Sequence, residues 1–178
     1  MLTDPTPVVE FWKSAGPARW YAKNDDFDTE FRRRFEGEHM AAARREREDW
    51  MGSAPGALGL MILLDQFPRN CYRGTAHQFA TDPLARLYCR QAIERGYLFA
   101  LEADLRQFLL LPLMHSEAIA DQDALLPLVS DMPETLKFAH IHRDIILRFD
   151  RFPHRNEALG RETSPREAAF LKSGGFGG

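Results

Sequence analysis

Two stretches of the sequence end an apolar run in Phe-Pro and then present arginine and asparagine. They are residues 64–70 (LDQFPRN) and residues 149–156 (FDRFPHRN), and a third polar stretch, residues 114–117 (MHSE), follows another apolar run. Guanidinium groups bind carboxylates and phosphates through paired hydrogen bonds, and imidazoles transfer protons near neutral pH. Together the three stretches predict a pocket that holds a small anionic ligand and has groups for acid–base chemistry.

His142 is the most informative histidine of the sequence. It lies four residues after Phe138 and three before Ile145, so it falls on the inward face of a predicted helix. Two interpretations are open: a core imidazole held by one hydrogen bond, or an acid–base group in the predicted pocket. His140 points elsewhere on the same helix, so the two histidines are a poor metal chelate. The predicted proton-transfer residues are His115, Glu117 and His142.

Glu117 and His115 flank Ser116, which is predicted to be the N-cap of the next helix. Glu117 is expected at the first helical position, where the helix dipole favours a carboxylate, and this structural role is an alternative to catalysis. Glu117 and Asp121 share a helix face, and with His115 they are a weak candidate for a metal-dependent hydrolase. Because the sequence lacks His-Glu-x-x-His and Cys-x-x-Cys spacings, no metal site and no cofactor are predicted.

The other predicted site residues lie in the two Phe-Pro stretches or close to them. Each arginine among them has an alternative interpretation, in which it pairs internally with Asp65 or Glu117. Asp65 lies on an apolar helix, and a buried carboxylate without a partner is costly, so a cationic or hydrogen-bonding partner is expected. The pocket is predicted to be concave and to include Asp65, Arg69, His115, Glu117, His142 and Arg155. The predicted ligand-binding residues are Asp65, Arg69, Asn70, Arg73, Arg151, His154, Arg155 and Asn156.

The composition argues against several classes of partner. The 178 residues carry a formal net charge of −3, which is too weak a field to favour nucleic acid or a membrane surface. The apolar runs are too short to span a bilayer, and the acidic, proline-rich beginning is unlike a secretory signal, so a cytoplasmic location is predicted. Cys71 and Cys89 belong to no Cys-x-x-Cys pair and are expected to be buried thiols without a disulfide.

Apolar residues recur with helical spacing, and no segment alternates as a strand would. The fold class is therefore predicted to be all-α, with seven to nine helices and no sheet. Residues 1–172 are predicted to form one domain, and the glycine-rich residues 173–178 are predicted to be a flexible tail.

Three helices matter most for the predicted site. A long helix is expected from residue 26 to residue 50, and a central helix that is apolar on all sides from residue 57 to residue 67. Pro68 is expected to end the central helix. A last long helix is expected from residue 134 to residue 149, with an inward face formed by Phe138, Ile141, Ile145 and Phe149.

The motifs resemble those of the bacterial family known as domain of unknown function 924, over nearly the whole chain. This resemblance implies an all-helical array related to tetratricopeptide folds, and no established activity. The family pattern usually has glycine at the position of Asp150 and an acidic residue at that of Leu98; aspartate tolerates a left-handed cap better than most residues. The matching stretches are residues 63–70 (LLDQFPRN), 72–75 (YRGT), 79–82 (FATD), 114–117 (MHSE), 151–156 (RFPHRN) and 159–161 (LGR).

Two kinds of function fit these observations. One is a small-molecule site for an anion, binding or catalytic. The other is a helical interaction module that holds a peptide or protein in a tetratricopeptide-like groove, with structural polar motifs. The presence of Asp65 on an otherwise apolar helix favours the small-molecule site, because a scaffold has little use for a buried charge.

Overall fold

The computed structural model describes residues 4–176, and in this part of the chain every regular element is helical. The all-α prediction is confirmed. The α-helices are α1 (Thr6–Ala15), α2 (Pro17–Trp20), α3 (Asp25–Ala43), α4 (Ala54–Met61), α5 (Phe67–Cys71), α6 (His77–Ala80), α7 (Asp82–Glu94), α8 (Arg106–Met114), α9 (Ile119–Leu128), α10 (Pro133–Phe149) and α11 (Pro165–Lys172). Short 3₁₀ turns cover Glu48–Gly52, Tyr97–Ala100, Ala103–Leu105 and Pro153–Arg155.

Among residues 4–176, eight of these eleven helices have eight or more residues, and α2, α5 and α6 have four or five. The predicted number of seven to nine helices agrees with this count of full-length helices. The described residues divide into two compact units. The first contains residues up to Arg73 together with His77–Pro112, and the second contains Gly74–Ala76 together with residues from Leu113 onward. The single domain over 1–172 and the tetratricopeptide-like array stay predictions.

The core of the first unit is rich in aromatic rings. The ring centroids of Phe31 and Phe67 lie 5.0 Å apart, and those of Trp12 and Phe108 lie 5.3 Å apart, both pairs edge to face. All four side chains are fully buried. Edge-to-face pairs stabilise a core beyond the area they bury, so this aromatic contact fixes α1, α3, α5 and α8 within the unit.

The long helix α3 ends earlier than predicted. It stops at Ala43 and not near residue 50, because Arg45 adopts a left-handed conformation with φ of 65°. The chain turns back there, and the buried Arg47 then donates from Nε to the carboxylate of Glu38, at 2.9 Å. A continuous helix would have placed this arginine in solvent, whereas the turn lets it form a buried ion pair.

Pro68 does not end the central helix, contrary to the prediction. Residues Ile62–Gln66 form a π turn, in which the N–H of Phe67 donates to the carbonyl of Ile62, five residues back. The wider turn leaves the carbonyl of Leu63 without its helical donor, and proline offers no N–H to the carbonyl of Leu64. The helix nevertheless continues as α5, so these buried carbonyls require donors from elsewhere.

Side chains supply both donors. Nδ1 of His39 lies 2.8 Å from the carbonyl oxygen of Leu63, and the hydroxyl of Thr81 donates to the carbonyl of Leu64. His39 is fully buried and Thr81 nearly so. These two side chains thus supply the hydrogen bonds that the helix backbone cannot make to the carbonyls of Leu63 and Leu64.

The second unit has a core built around α10. Ile145, Ile146 and Phe152 are buried, and partly buried side chains pack against them. The predicted inward face of α10 is confirmed at Ile145 and at His142, which are buried, and it was wrong at Phe138, which is 43% exposed. The partly buried members of this core are Ile141, Phe149, Phe170 and Phe176.

The ends of α10 and α11 follow the expected chemistry. Asp150 has φ of 57°, and its N–H donates to the carbonyl of Ile146, so it is a left-handed C-cap. At the start of α11, Ser164 accepts from the N–H of Glu167, and the Glu167 carboxylate accepts from the N–H of Ser164. The predicted capping box is confirmed.

Two further expectations concern the thiols and the membrane. Cys71 and Cys89 are buried and form no disulfide, as predicted. Burial raises the pKa of the Cys71 thiol to about 12, so it stays protonated at neutral pH. Within residues 4–176, no helix combines the length and the apolar character that crossing a membrane requires.

We expect Asp150→Gly to raise the free energy of unfolding by roughly 0.5–1 kcal/mol, because glycine has no Cβ to strain at positive φ. Chemical denaturation measures this change. The matched control is Asp144→Gly, at an exposed interior position of α10, which should lower the same quantity by about 1 kcal/mol. Equal destabilisation by both substitutions would contradict the role of Asp150 as a strained cap.

Candidate functional site

In the first unit, Asp65 and Arg69 form part of a buried ion-pair network. Arg69 donates from both Nη atoms to the carboxylate of Asp82, at 2.8 and 2.9 Å, and Nη1 lies 3.0 Å from Oδ1 of Asp65. Asp65 is fully buried and also accepts from Gln66, at 2.6 Å. The expected cationic partner of Asp65 is therefore present, and it lies one helical turn further along the chain.

Asn70 and Arg73 both contact Asp28. The side-chain amide of Asn70 donates to Oδ1 of Asp28 at 3.0 Å, and Nε and Nη2 of Arg73 donate to Oδ2 at 3.3 Å. Asp28 lies in the first turn of α3, where the helix dipole also favours a carboxylate. This arrangement ties the end of the first Phe-Pro stretch to α3.

The imidazoles of His39 and His77 face each other, with their Nε2 atoms 2.8 Å apart. Because Nδ1 of His39 faces a carbonyl, it carries the proton, and Nε2 of His39 must accept from His77. Burial, and to a smaller extent electrostatic repulsion by His77, lowers the pKa of His39 to about 4, against opposing contributions from the Leu63 carbonyl and Glu36. The buried imidazole is thus neutral at physiological pH.

We expect the stability of the protein to fall between about pH 6.5 and pH 4. In this window the unfolded chain binds a proton at His39 and the folded chain does not, so protonation favours unfolding. His39→Gln removes this titration and keeps a donor for Leu63. Its free energy of unfolding should depend less on pH, by about 3 kcal/mol over the window. Parallel pH profiles of the two proteins would contradict the assignment.

In the second unit, Glu117 does not occupy the first helical position. Helix α9 begins at Ile119 with Ala118 as its N-cap, so the cap predicted at Ser116 was wrong by two residues. The Ser116 hydroxyl instead accepts from the N–H of Ala118 and donates to the carboxylate of Asp121, at 2.6 Å. Glu117 is thereby placed in the turn before the helix, where its carboxylate reaches the second Phe-Pro stretch.

The carboxylate of Glu117 holds the backbone of Phe152. Its Oε1 accepts from the N–H of Phe152 at 2.8 Å, and Arg161 donates to both of its oxygens, at 2.8 and 3.0 Å. Arg161 also donates to the carbonyl of Phe152 at 3.1 Å. Burial alone would raise the pKa of Glu117, but the hydrogen bonds from Arg161 and Phe152, with the charge of Arg155, lower it below its ordinary value.

Arg161 and Arg151 organise the rest of this stretch. Nε of Arg161 donates to the side-chain oxygen of Asn156, at 3.0 Å. Arg151 donates from Nε and Nη2 to the carboxylate of Glu167, at 2.6 and 2.9 Å, and the Arg151 guanidinium holds the pKa of Glu167 well below its usual range. Arg151 and Glu167 also line an open depression of about 390 Å³. Asn156 and Arg151 thus have structural partners.

Three nitrogen-bearing side chains surround the buried ring of Phe152, and a fourth, His115, lies beside one of them; we call these five residues the histidine cluster. The guanidinium of Arg155 lies 4.5 Å from the ring centroid, and the imidazoles of His142 and His154 lie 5.4 and 5.6 Å from it. The ring of His115 lies 6.2 Å from that of His142. Arg155 is only 6% exposed, and its Nη2 donates to the carbonyl of His115 at 2.9 Å.

Helix α10 fixes the tautomer of His142. Its Nδ1 lies 2.8 Å from the carbonyl oxygen of Phe138, one turn earlier, so Nδ1 carries the proton and the lone pair of the neutral ring is on Nε2. Nε2 is therefore the atom that accepts a proton in any acid–base step. This hydrogen bond to the backbone of its own helix also agrees with the interpretation of His142 as a core imidazole held by one hydrogen bond.

The two carboxylates near His115 each contact another side chain. Glu117 faces Arg161, and Asp121 faces Ser116. Within residues 4–176, no three side chains of histidine, cysteine, aspartate or glutamate converge so that they could hold a metal ion.

We expect Glu117→Gln to lower the free energy of unfolding by about 2 kcal/mol at pH 7, because Arg161 loses a carboxylate partner. The folded-state pKa of Glu117 is lowered, so its contribution is present above the unfolded value and is lost as the pH falls through the folded value. Denaturation at pH 7 and pH 3 should therefore show a smaller difference at pH 3. Glu157→Gln, at an exposed position, is the control and should change little.

Sequence reasoning found the members of the histidine cluster, since each lies in or beside a polar stretch or on the inward face of α10. It missed the residues that complete the networks. Three of these had a visible signal: Asp82 belongs to the FATD motif, Arg161 to the LGR motif and Glu167 to the capping box. The other missed partners are Asp28, His39, His77 and Phe176. The ligand contacts predicted for Asp65, Arg69, Asn70 and Arg73 stay predictions.

Comparison with known proteins gives the family but no activity. The sequence model of the family described as "Bacterial protein of unknown function (DUF924)" matches residues 8–175. The solved structure of the protein of unknown function ATU0120 from Agrobacterium tumefaciens is similar, with a TM-score of 0.93 and 50% sequence identity, over 95% of this chain and 97% of that one. A search of curated proteins gave no match.

Proposed function

The chain belongs to the bacterial DUF924 family of proteins of unknown function, and we propose that it binds a small anionic ligand at the histidine cluster. The observation that carries the proposal is the convergence of two imidazoles and one buried guanidinium on the ring of Phe152, with a third imidazole, that of His115, beside His142. Packing alone seldom gathers so many polar side chains, because each must be desolvated.

The chemistry of these side chains favours an anion. Guanidinium presents several N–H donors in a plane and binds carboxylate or phosphate groups well, and protonated imidazole adds two donors. Electrostatic attraction is stronger at a mostly buried position than in water. Arg155 would hold the anion, with His154 at the rim and His115 beside it.

The cluster is also held in place by contacts outside it. Glu117 and Arg161 fix both backbone polar groups of Phe152, and the pairing of Arg151 with Glu167 connects the same stretch to α11. A site that is already ordered loses less entropy when it binds. Glu117 is therefore a positioning residue in this proposal, and not a proton donor as its sequence context suggested.

Acid–base catalysis by His142, assisted by His115, is a further part of the proposal. Its Nε2 has the lone pair, and the fixed Nδ1 proton keeps the ring in the tautomer that a general base requires. Neither a metal ion nor a cofactor enters the proposal. A cytoplasmic location belongs to the proposal as well.

The test is a thermal-shift and calorimetric screen of the wild type against inorganic phosphate, small phosphate esters and small carboxylates. A ligand that binds the folded state raises the melting temperature by mass action. We expect His142→Gln and Arg155→Lys to weaken binding at least tenfold while the proteins stay folded. The matched control is His140→Gln, which removes an exposed imidazole of the same helix and should leave the affinity unchanged.

Two results would refute the proposal. One is a wild type that no probe shifts; the other is a set of variants that all bind as the wild type does. Either result would give the histidine cluster a structural role. The alternative function, a helical module that binds a peptide or protein, would then be favoured.

A further inference from the structure

The chain after α11 reverses direction in a turn that requires two glycines. The N–H of Gly175 donates to the carbonyl of Phe170 at 3.0 Å, and the N–H of Gly174 donates to that of Leu171 at 3.3 Å. These two bonds, with φ of 79° at Gly174, form a Schellman motif. The helix end therefore specifies the path of the residues that follow.

Gly175 is required for a second reason. A Cβ at this position would lie 2.6 Å from two ring carbons and from the carbonyl oxygen of Phe170, so any side chain would force the backbone away. Glycine also allows backbone conformations that other residues avoid. Gly174 and Gly175 connect Phe176 to α11. They place its ring in the observed position, and as glycines they also permit other backbone conformations.

The ring of Phe176 lies against the histidine cluster. Its centroid is 4.6 Å from that of His142 and 5.7 Å from that of His154, with interplanar angles of 61° and 73°. It also packs against the core formed by Ile145, Ile146 and Phe152. These are edge-to-face distances and angles between aromatic rings, so the place that Phe176 fills is a slot shaped for a flat ring.

We propose that this slot receives the aromatic part of the ligand, and that Phe176 occupies it in the ligand-free protein. The inference rests on the proposed function and names the ligand class: a small anion that carries an aromatic ring. The anion would lie at Arg155 and the ring between His142 and His154. Binding then requires Phe176 to leave, so its side chain competes with the ligand.

The experiment compares two pairs of probes, inorganic phosphate with phenyl phosphate and acetate with phenylacetate, by calorimetry on the full chain. One of the two anion classes, phosphate or carboxylate, is expected to bind. The ring-bearing probe of that class should bind to Phe176→Ala at least tenfold more tightly than to the wild type. The bare anion should bind equally to both proteins. Phe138→Ala, which removes an exposed ring of α10, is the control and should behave as the wild type.

Phe176→Leu and an NMR titration of the wild type keep the test decisive if Phe176→Ala does not fold. Because leucine fills the slot, Phe176→Leu should bind the ring-bearing probe with an affinity close to that of the wild type. In the titration, the ring-bearing probe should abolish the cross-relaxation between the rings of Phe176 and His142, and the bare anion should preserve it.

The outcomes separate the two proposals. If neither the bare anion nor the ring-bearing probe binds to the wild type or to any variant, the proposed anion site is refuted, and the slot with it. If the bare anion binds equally to all proteins and the ring-bearing probe gains nothing from Phe176→Ala, only the slot is refuted. Persistence of the Phe176–His142 contact at saturation with phenyl phosphate or phenylacetate would refute it as well.

Discussion

Buried backbone groups beside the two Phe-Pro pairs need hydrogen-bond partners, and much of the structure depends on supplying them. In the first unit, the π turn and Pro68 leave the carbonyls of Leu63 and Leu64 to side chains from other segments. In the second unit, the N–H and the carbonyl of Phe152 are bound by a carboxylate and a guanidinium. An apolar residue at any of these partner positions would leave a buried polar group unsatisfied, which is costly.

This constraint explains why the motifs are polar although they lie in or near the core. His39, Thr81, Glu117 and Arg161 all reach backbone groups that regular secondary structure would otherwise satisfy. The hydrogen bonds to these backbone groups hold each of the four side chains in a single position. The consequence in the second unit is a fixed arrangement of the rings and guanidinium of the histidine cluster.

The arginines of the motifs divide by what they face. Arg69 and Arg151 face carboxylates within their own units, at distances typical of paired charged hydrogen bonds. These contacts give them a role in holding helices together. Arg155 lies over an aromatic ring and contacts a backbone carbonyl, within a group of imidazoles. This difference supports the proposed anion site in the second unit.

The sequence by itself determined the helical class, the buried character of the central segment and the capping box of α11. Each follows from local spacing or from the conformational preference of a few neighbouring residues. It also indicated which polar residues matter, because a carboxylate or imidazole in an apolar run is expensive to bury without a reason.

Only the tertiary structure decided the partners. Nothing near Glu117 in the sequence indicates that it contacts Phe152 and Arg161, which lie 35 and 44 residues away. The π turn at Ile62–Gln66 is likewise possible only because His39 and Thr81 are present to bind its carbonyls. The placement of Phe176 on His142 depends on a turn, a core and a helix meeting in space. Hydrogen bonds and ring contacts act over a few ångströms, so they are set by which distant segments meet, and local sequence does not encode that.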